Sequence, residues 1–375
     1  MPERIDLSQA DDPRDVVHRA VACLAQGGII GMATETVYGL SASALRASAV
    51  ARLRDLLGLK PSHPVTLLLR EPGEVADWVP HVSALGRRLA RRAWPGPVTL
   101  AFPGNGSQGL AQRLPAEVRP LIFPEGTISL RVPAHPFVRE VLRLSPGPLV
   151  LSKARDGASG AATTSASLTG CTELRMIVDD GPTRHGRVST VVRVEDDSWR
   201  VIRPGVVDER MLTRMAGTIF LFVCTGNTCR SPMADALCKV LVARRLGCAI
   251  DELEDRGFVI LSAGMSAAPG MPAAAHAIDV VRSRGGSLSH HASRQVTLEL
   301  VRQADHIITM TSDHLESLLD RVPDAAPRAR LLHPNGDDVA DPVGADRETY
   351  LQTAEAIEEY LERLLDDLGV TPVRG

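Results

Sequence analysis

The chain has 375 residues, 44% hydrophobic and 23% charged, with only 12 aromatic side chains (six Phe, three Trp, three Tyr). That length suggests two or three domains with cores of their own, and the composition excludes a disordered or fibrous chain. The formal net charge of −3 divides unevenly: residues 1–216 carry 27 Lys+Arg against 22 Asp+Glu (+5), and residues 217–375 carry 15 against 23 (−8). A basic first part points to an anionic partner such as a nucleotide or RNA. So few rings argue against a stacking platform for single-stranded nucleic acid. No apolar run approaches the ~18 residues of a membrane span, and the opening MPERIDLSQADDPRD is too charged for a secretory signal, so a cytoplasmic protein without a membrane partner is expected. Six cysteines are too sparse for a disulfide scaffold, and their spacing completes no zinc site, so no metal is expected. Lysine occurs only at Lys60, Lys153 and Lys239, against 39 arginines.

In chain order, residues 13–24 and 47–57 read as helices. The short apolar runs GGIIGMA, PVTLLL, GPVTLAF, TISLRV, GPLVLS and STVVRV read as strands. The turn Arg203-Pro204-Gly205 and the polar stretch up to Gly217 mark a domain boundary. Beyond it come a strand at 218–223, a helix at 232–245 with Pro232 in its first turn, and a strand at 257–261. A helix at 272–283, a strand at 306–310 and an amphipathic helix at 348–368 follow. Strand and helix in alternation predict an α/β fold, with a doubly wound parallel sheet in the second part.

The sharpest feature is Val223-Cys224-Thr225-Gly226-Asn227-Thr228-Cys229-Arg230-Ser231-Pro232. A buried strand delivers Cys224 into a loop of small residues, and a helix starts at its far side. Loop amides and the helix N-terminus then converge on one point, which suits an anion and stabilises a thiolate. Arg230, six positions after Cys224, can return over the loop and bind two oxygens of a phosphoryl group. A thiolate beside an oxyanion cradle is what phosphomonoester cleavage through a cysteinyl-phosphate requires.

CTGNTCRSP at the head of this α/β stretch resembles the low-molecular-weight protein-tyrosine phosphatase family over residues 217–370. Further matches lie at Ser262-Ala263-Gly264, at Ala304-Asp305 before IITM, and at Asp341-Pro342. The resemblance implies a phosphatase that acts on a phosphorylated protein and needs no cofactor. Cys224 would be the nucleophile, Arg230 the phosphate-binding cation and Asp341 the general acid. Thr225, Gly226, Asn227, Thr228, Cys229 and Ser231 would form the phosphate loop. In it Ser231 bonds the thiolate, Asn227 holds the strained backbone, and Cys229 is able to form a reversible disulfide with the nucleophile. Thr228 resembles the branch that dephosphorylates phosphoarginine, whereas many phosphotyrosine enzymes carry an apolar residue there. Val343 stands where both branches usually place an aromatic ring. Arsenate reductases share the loop but relay electrons through a further cysteine pair, and no cysteine follows Cys248. Asp337 and Asp338 read as solvated loop charges, and His290-His291 as an exposed loop.

In the first part, TETVYGL (34–40), WPGPVTL (94–100), SLRVPAHP (129–136), Ser189-Thr190-Val191 and Arg203-Pro204-Gly205 together resemble the YrdC-like threonylcarbamoyl-AMP synthase family, over residues 10–206. The resemblance implies a twisted open α/β sheet. It also implies ATP (with or without Mg2+), L-threonine and bicarbonate as substrates, a product used in tRNA modification, and in some members double-stranded RNA binding. It places Thr34, Tyr38, Arg131, Ser152, Ser189, Thr190 and Arg203 around a nucleotide- and threonine-binding cavity. The family's Lys-x-Arg pair falls on Leu57 and Leu59, and its Ser-Ala-Asn reads Ser152-Lys153-Ala154. Two leucines remove both charges, so the fold and nucleotide or RNA binding are expected ahead of synthase turnover. Lys60 and Lys153 are the candidates to restore a charge. The expectation is a phosphatase fused to a YrdC-like domain. The alternative is a synthase or double-stranded RNA-binding protein with an accessory phosphatase.

Overall fold

Short aliphatic runs separated by turns build strands rather than helices, and in a computed structural model ten of the strands of the first part join one sheet. The structure describes residues 2–60, 62–156 and 160–370, and the chain divides into two units, Met1–Met215 and Ala216–Gly375. In the first unit the strands are β1 (Glu3–Asp6), β2 (Ile30–Ala33), β3 (Tyr38–Ser43), β4 (Thr66–Leu68), β5 (Val98–Pro103), β6 (Thr127–Arg131) and β7 (Leu149–Lys153). A two-residue hairpin, β8 (Arg155–Asp156) and β9 (Gly160–Ala161), lies outside the sheet. The last strands of the unit are β10 (Met176–Asp179), β11 (Thr190–Glu195) and β12 (Ser198–Arg203). The order across the open mixed sheet is β1-β10-β2-β3-β7-β4-β6-β5-β11-β12.

All six expected strands are present. Strand β3 is a strand that the pattern of the sequence does not announce. Its YGLSAS contains small residues instead of an aliphatic run, yet all six are buried because β2 and β7 pair with its two edges. Gly39 is needed there, since a Cβ at this position would lie 2.6 Å from Leu151 Cδ1. Two helices cover one region of the sheet, Pro13–Ala25 and Pro136–Leu144, and Val17, Leu24, Val138 and Val141 pack with Ile30, Met32 and Val178 in one core. The first of these helices is capped by Asp12, whose side chain accepts from the Arg14 amide, and Pro13 stands in its first turn.

The second unit is a four-stranded, wholly parallel sheet of β13 (Thr218–Cys224), β14 (Phe258–Gly264), β15 (His306–Thr309) and β16 (Ala329–Leu331), in the order β14-β13-β15-β16. The central strand reads TIFLFVC because a strand covered on both faces needs apolar residues at every position. One core gathers the helices Arg230–Leu246, Ala275–Ser283 and Arg347–Asp367. A second, built on Leu221, Val223, Ile307 and Leu318, takes the helices Leu298–Gln303 and Ser312–Arg321. The sheet is doubly wound. Several boundaries differ from the sequence reading, and β14 runs to Gly264, three residues past its expected end. The helix after β13 starts at Arg230, two residues before Pro232, and the helix expected from 272 starts at Ala275. Ala274, just before it, instead donates its amide to Thr228 O in the loop that follows β13.

Candidate functional site

In a parallel sheet, ligands bind beyond the carboxyl ends of the strands, and Cys224 is the last residue of the central one. The loop from Thr225 to Cys229 is pinned from outside through its carbonyls. Met265 donates to Cys224 O at 2.8 Å, Ser266 to Thr225 O at 2.9 Å, and Ala274 to Thr228 O at 2.9 Å. His291 Nε2 lies 2.8 Å from Asn227 O. With the carbonyls held outward, the amides of the loop turn toward the thiol. The Asn227 amide donates to Cys224 Sγ at 3.2 Å. Ser231 Oγ lies 3.0 Å from the same sulfur, and it accepts from Asn227 Nδ2 at 3.0 Å, which directs its own hydrogen toward Cys224 Sγ or Ala263 O.

Asn227 is wholly buried in the left-handed region, φ +55, a conformation that asparagine tolerates better than other side chains. Its Oδ1 accepts from the Arg294 amide at 3.0 Å, so one side chain braces both the loop and the neighbouring segment. His291, read from sequence as part of an exposed loop, is half-buried and belongs to this brace. The matching Ser262-Ala263-Gly264 also has a physical reason: a Cβ on residue 264 would sit 2.5 Å from Thr225 O.

Arg230 is buried at the helix start. Its Nη2 donates to Asp341 Oδ2 at 2.5 Å, and its Nη1 donates to Val339 O at 3.1 Å. Asp341 itself is 40% exposed, so the pair stands at the mouth of the loop. Val343, two residues on, is 67% exposed and its amide donates to Asp341 Oδ1. Asp337 and Asp338 are both exposed; Asp338 Oδ1 also accepts from the amide and the hydroxyl of Ser312 and so ties the start of a helix to this loop.

Two contributors escaped the sequence reading. His314, one turn into that helix, has Nε2 at 2.8 Å from Thr225 Oγ1 and Nδ1 at 2.7 Å from Thr311 Oγ1. Burial and the nearby Arg230 guanidinium push its pKa below the ordinary histidine value, so the ring is neutral. Thr311 Oγ1 also accepts from the His314 amide, so the ring is held between two threonine hydroxyls, and its tautomer sets which of them it donates to. The second is Tyr350, whose hydroxyl lies 3.1 Å from Cys229 Sγ; burial, with the Cys229 contact, raises its pKa. Cys224 and Cys229 are both free thiols. Among the described residues no cluster of His, Cys, Asp or Glu could hold a metal ion.

In the first unit, Thr34, Tyr38, Arg131, Ser152, Ser189 and Arg203 line one small cavity of about 50 Å3, together with His63 and Lys153. Thr190 does not belong there. It is completely buried, and its hydroxyl donates to Val207 O and accepts from the Val207 amide, which ties the end of the unit to β11. The Tyr38 hydroxyl also points elsewhere, with Asp179 Oδ1 and Gly181 O as its acceptors. Arg131 pairs with the buried Glu35 at 2.7 Å; burial alone would push that carboxyl up, but Arg131 outweighs it and holds its pKa low. Leu57 and Leu59 do not line the cavity, and Lys60 is an exposed residue outside it.

Comparison with known proteins finds a family for each unit. Residues 219–371 match the family model described as low molecular weight phosphotyrosine protein phosphatase, and residues 22–205 match the Sua5/YciO/YrdC model, described as telomere recombination. The chain is 34% identical over 152 residues to the protein-arginine-phosphatase of Geobacillus stearothermophilus, a match covering 40% of this chain and 94% of that protein. It is 32% identical over 155 residues to the threonylcarbamoyl-AMP synthase of Chromohalobacter salexigens, covering 41% of this chain and 78% of the relative. The threonylcarbamoyl-AMP synthases of Bacillus subtilis and Pyrococcus abyssi are spanned over only 60% and 57% of their length. A solved structure of Pyrococcus abyssi Sua5 shares the fold, with a TM-score of 0.51 at 18% identity over 88% of this chain and 98% of that one. The chain therefore belongs to two families at once, the low-molecular-weight phosphatases through its second unit and the Sua5/YciO/YrdC proteins through its first. It is an enzyme of the phosphatase class joined to a YrdC-like domain. No helix among the described residues is long and apolar enough to cross a membrane.

Proposed function

We propose that the second unit, residues 217–370, removes phosphoryl groups from arginine side chains of proteins through a cysteinyl-phosphate at Cys224. The observation that carries this reading is the Cys224 sulfur at the end of the central strand, with the Asn227 amide donating to it and the Ser231 hydroxyl 3.0 Å away. The thiolate attacks phosphorus as the P–N bond breaks, while the loop amides and Arg230 hold the non-bridging oxygens. A phosphoryl group draws the Arg230 guanidinium away from Asp341, which takes up a proton from solvent once that pair is broken and gives it to the leaving nitrogen. In the second step Asp341 takes a proton from water, the water oxygen attacks phosphorus, and phosphate and the Cys224 thiolate are released. Thr225, Gly226, Thr228 and Cys229 complete the cradle. Thr228 offers a hydroxyl at its mouth, and the exposed Val343 gives a phenyl ring no flat partner; both support a guanidinium over a phenol. The test compares phosphoarginine and phosphotyrosine turnover by wild type, Thr228→Ile and Cys224→Ser. Equal use of both substrates by wild type and Thr228→Ile would remove the arginine reading. Hydrolysis retained by Cys224→Ser would remove the mechanism.

For the first unit, residues 10–206, we infer an ATP-binding domain with L-threonine and bicarbonate as co-substrates and tRNA or double-stranded RNA as its partner. Six of the seven residues singled out from sequence line one cavity whose surplus charge is positive, which supports an anionic ligand. The six cysteines, all free thiols, fit a cytoplasmic setting. Formation of threonylcarbamoyl-AMP from ATP, threonine and bicarbonate is the decisive assay. Absence of product together with absence of ATP and RNA binding would refute the inference.

A further inference from the structure

Three permanent cations border the cavity of the first unit: Arg131, Arg203 and Lys153. Arg131 is committed. Besides its pair with Glu35, it donates to Thr36 Oγ1 at 3.2 Å and to Gly96 O at 3.1 Å. Arg203 gives Nη2 to Ser189 O and Oγ, each at 3.1 Å, and leaves a buried Nε without a hydrogen-bond partner. Lys153 ends β7 opposite Gly39 of β3, a partner without a side chain, and is half-buried. Among the described residues none makes a hydrogen bond or ion pair with its ammonium.

The charges that act on Lys153 are those of Arg203 and Arg155; after burial they are what draws its pKa down. His63, across the cavity, is likewise depressed by burial and then by Arg54, Arg203, Lys153 and Arg155. Glu35 Oε1 accepts from Arg131, and its Oε2 is buried without a hydrogen-bond partner; no described residue that lines the cavity is acidic, so like charges are held together around a partly enclosed space. That arrangement costs free energy unless an anion occupies it. The residue type agrees. In a chain with three lysines and 39 arginines, position 153 holds a lysine, whose compact ammonium takes less room beside a cavity of about 50 Å3 than a guanidinium would.

We propose that Lys153 is the phosphate-binding cation of this cavity, its ammonium donating to a non-bridging oxygen of the nucleotide's phosphate chain. It supplies the charge that positions 57 and 59, both leucine, do not. This rests on the reading of the first unit as nucleotide-binding. The rival source of an oxyanion is the carboxylate of L-threonine, which the test separates.

Titration calorimetry of the full chain with ATP, inorganic pyrophosphate and L-threonine is compared for wild type, Lys153→Met, Lys153→Gln and Lys60→Met. Wild type is expected to bind ATP and pyrophosphate. Both Lys153 variants should raise those two Kd values about tenfold or more, the size of one charge-assisted hydrogen bond, with little change for threonine. Lys60→Met should bind all three as wild type does. Two uncharged replacements guard against a single variant that fails to fold, and circular dichroism must match wild type for the one that is scored. Wild-type affinity for pyrophosphate in a folded Lys153 variant overturns the assignment, as does a loss confined to threonine. If the wild-type chain binds neither ATP nor pyrophosphate, the nucleotide reading falls and the assignment with it.

Discussion

Replacing Gly264 by Ala tests whether the phosphate loop is held by its neighbouring strand. An added Cβ would stand 2.5 Å from Thr225 O and 2.9 Å from Asn227 N, short of the 3.4 Å of ordinary contact by 0.9 Å and 0.5 Å. The strand cannot retreat easily, because the Gly264 amide donates to Arg294 O and its carbonyl accepts from Val296, both at 2.9 Å. The loop must move instead, and the atom pushed is the Asn227 nitrogen that donates to Cys224 Sγ. Overpacking of this kind costs about 1–3 kcal/mol of stability. A displacement approaching 1 Å at a reacting group costs roughly 100-fold in rate. We therefore expect kcat for an aryl phosphate to fall about 100-fold, with a melting temperature lowered by about 2–4 °C per kcal/mol lost. Steady-state turnover and a thermal melt on the same sample measure both. Wild-type kcat with an unchanged melt would refute the reasoning, because it would mean that the loop does not depend on this contact.

Three further expectations follow from the same geometry. His314→Ala removes the hydrogen-bond partner of Thr225 and should lower kcat/KM several-fold, about 1 kcal/mol; Thr225→Val should give a similar loss, and the double variant little more. The buried His314 and the largely buried His135 both have folded pKa values below the ordinary 6.5, each chiefly through burial, so the unfolded chain binds more protons. Stability should then fall as pH drops through about 6.5, by at most about 1.4 kcal/mol per pH unit for each histidine; melts between pH 7.5 and 5.5 check the sign, and a flat profile would contradict it. Tyr350→Phe deletes the hydroxyl on Cys229 Sγ, and should cost about 1 kcal/mol of stability and quicken the reaction of Cys229 with a thiol reagent.

Much of the second unit was legible because its chemistry is local. Cys224, Asn227, Arg230 and Ser231 lie within eight residues, and a strand, a tight loop and a helix fix their relations whatever the rest of the chain does. What stayed hidden was long-range. His314 reaches Thr225 across 89 positions, Tyr350 reaches Cys229 across 121, and nothing in the residues around either sets it apart from an ordinary helix position. In the first unit, Thr190 stands beside Ser189 in the motif but faces the other way, since successive residues of a strand point to opposite faces and its hydroxyl meets Val207. The neighbour of a site residue on a strand is for that reason an unsafe inference.

The sequence by itself determined the two families' folds, the nucleophile's loop and the absence of the expected Lys-x-Arg charges, because motif, spacing and residue type are local properties. Only the tertiary structure decided which groups complete the sites: Asp341 on Arg230, His314 on Thr225, Gly264 beneath the loop, and Lys153 rather than Lys60 at the cavity. Those partners are brought together by sheet order and by helices crossing it, and burial then fixes which charges are screened by water and which are not.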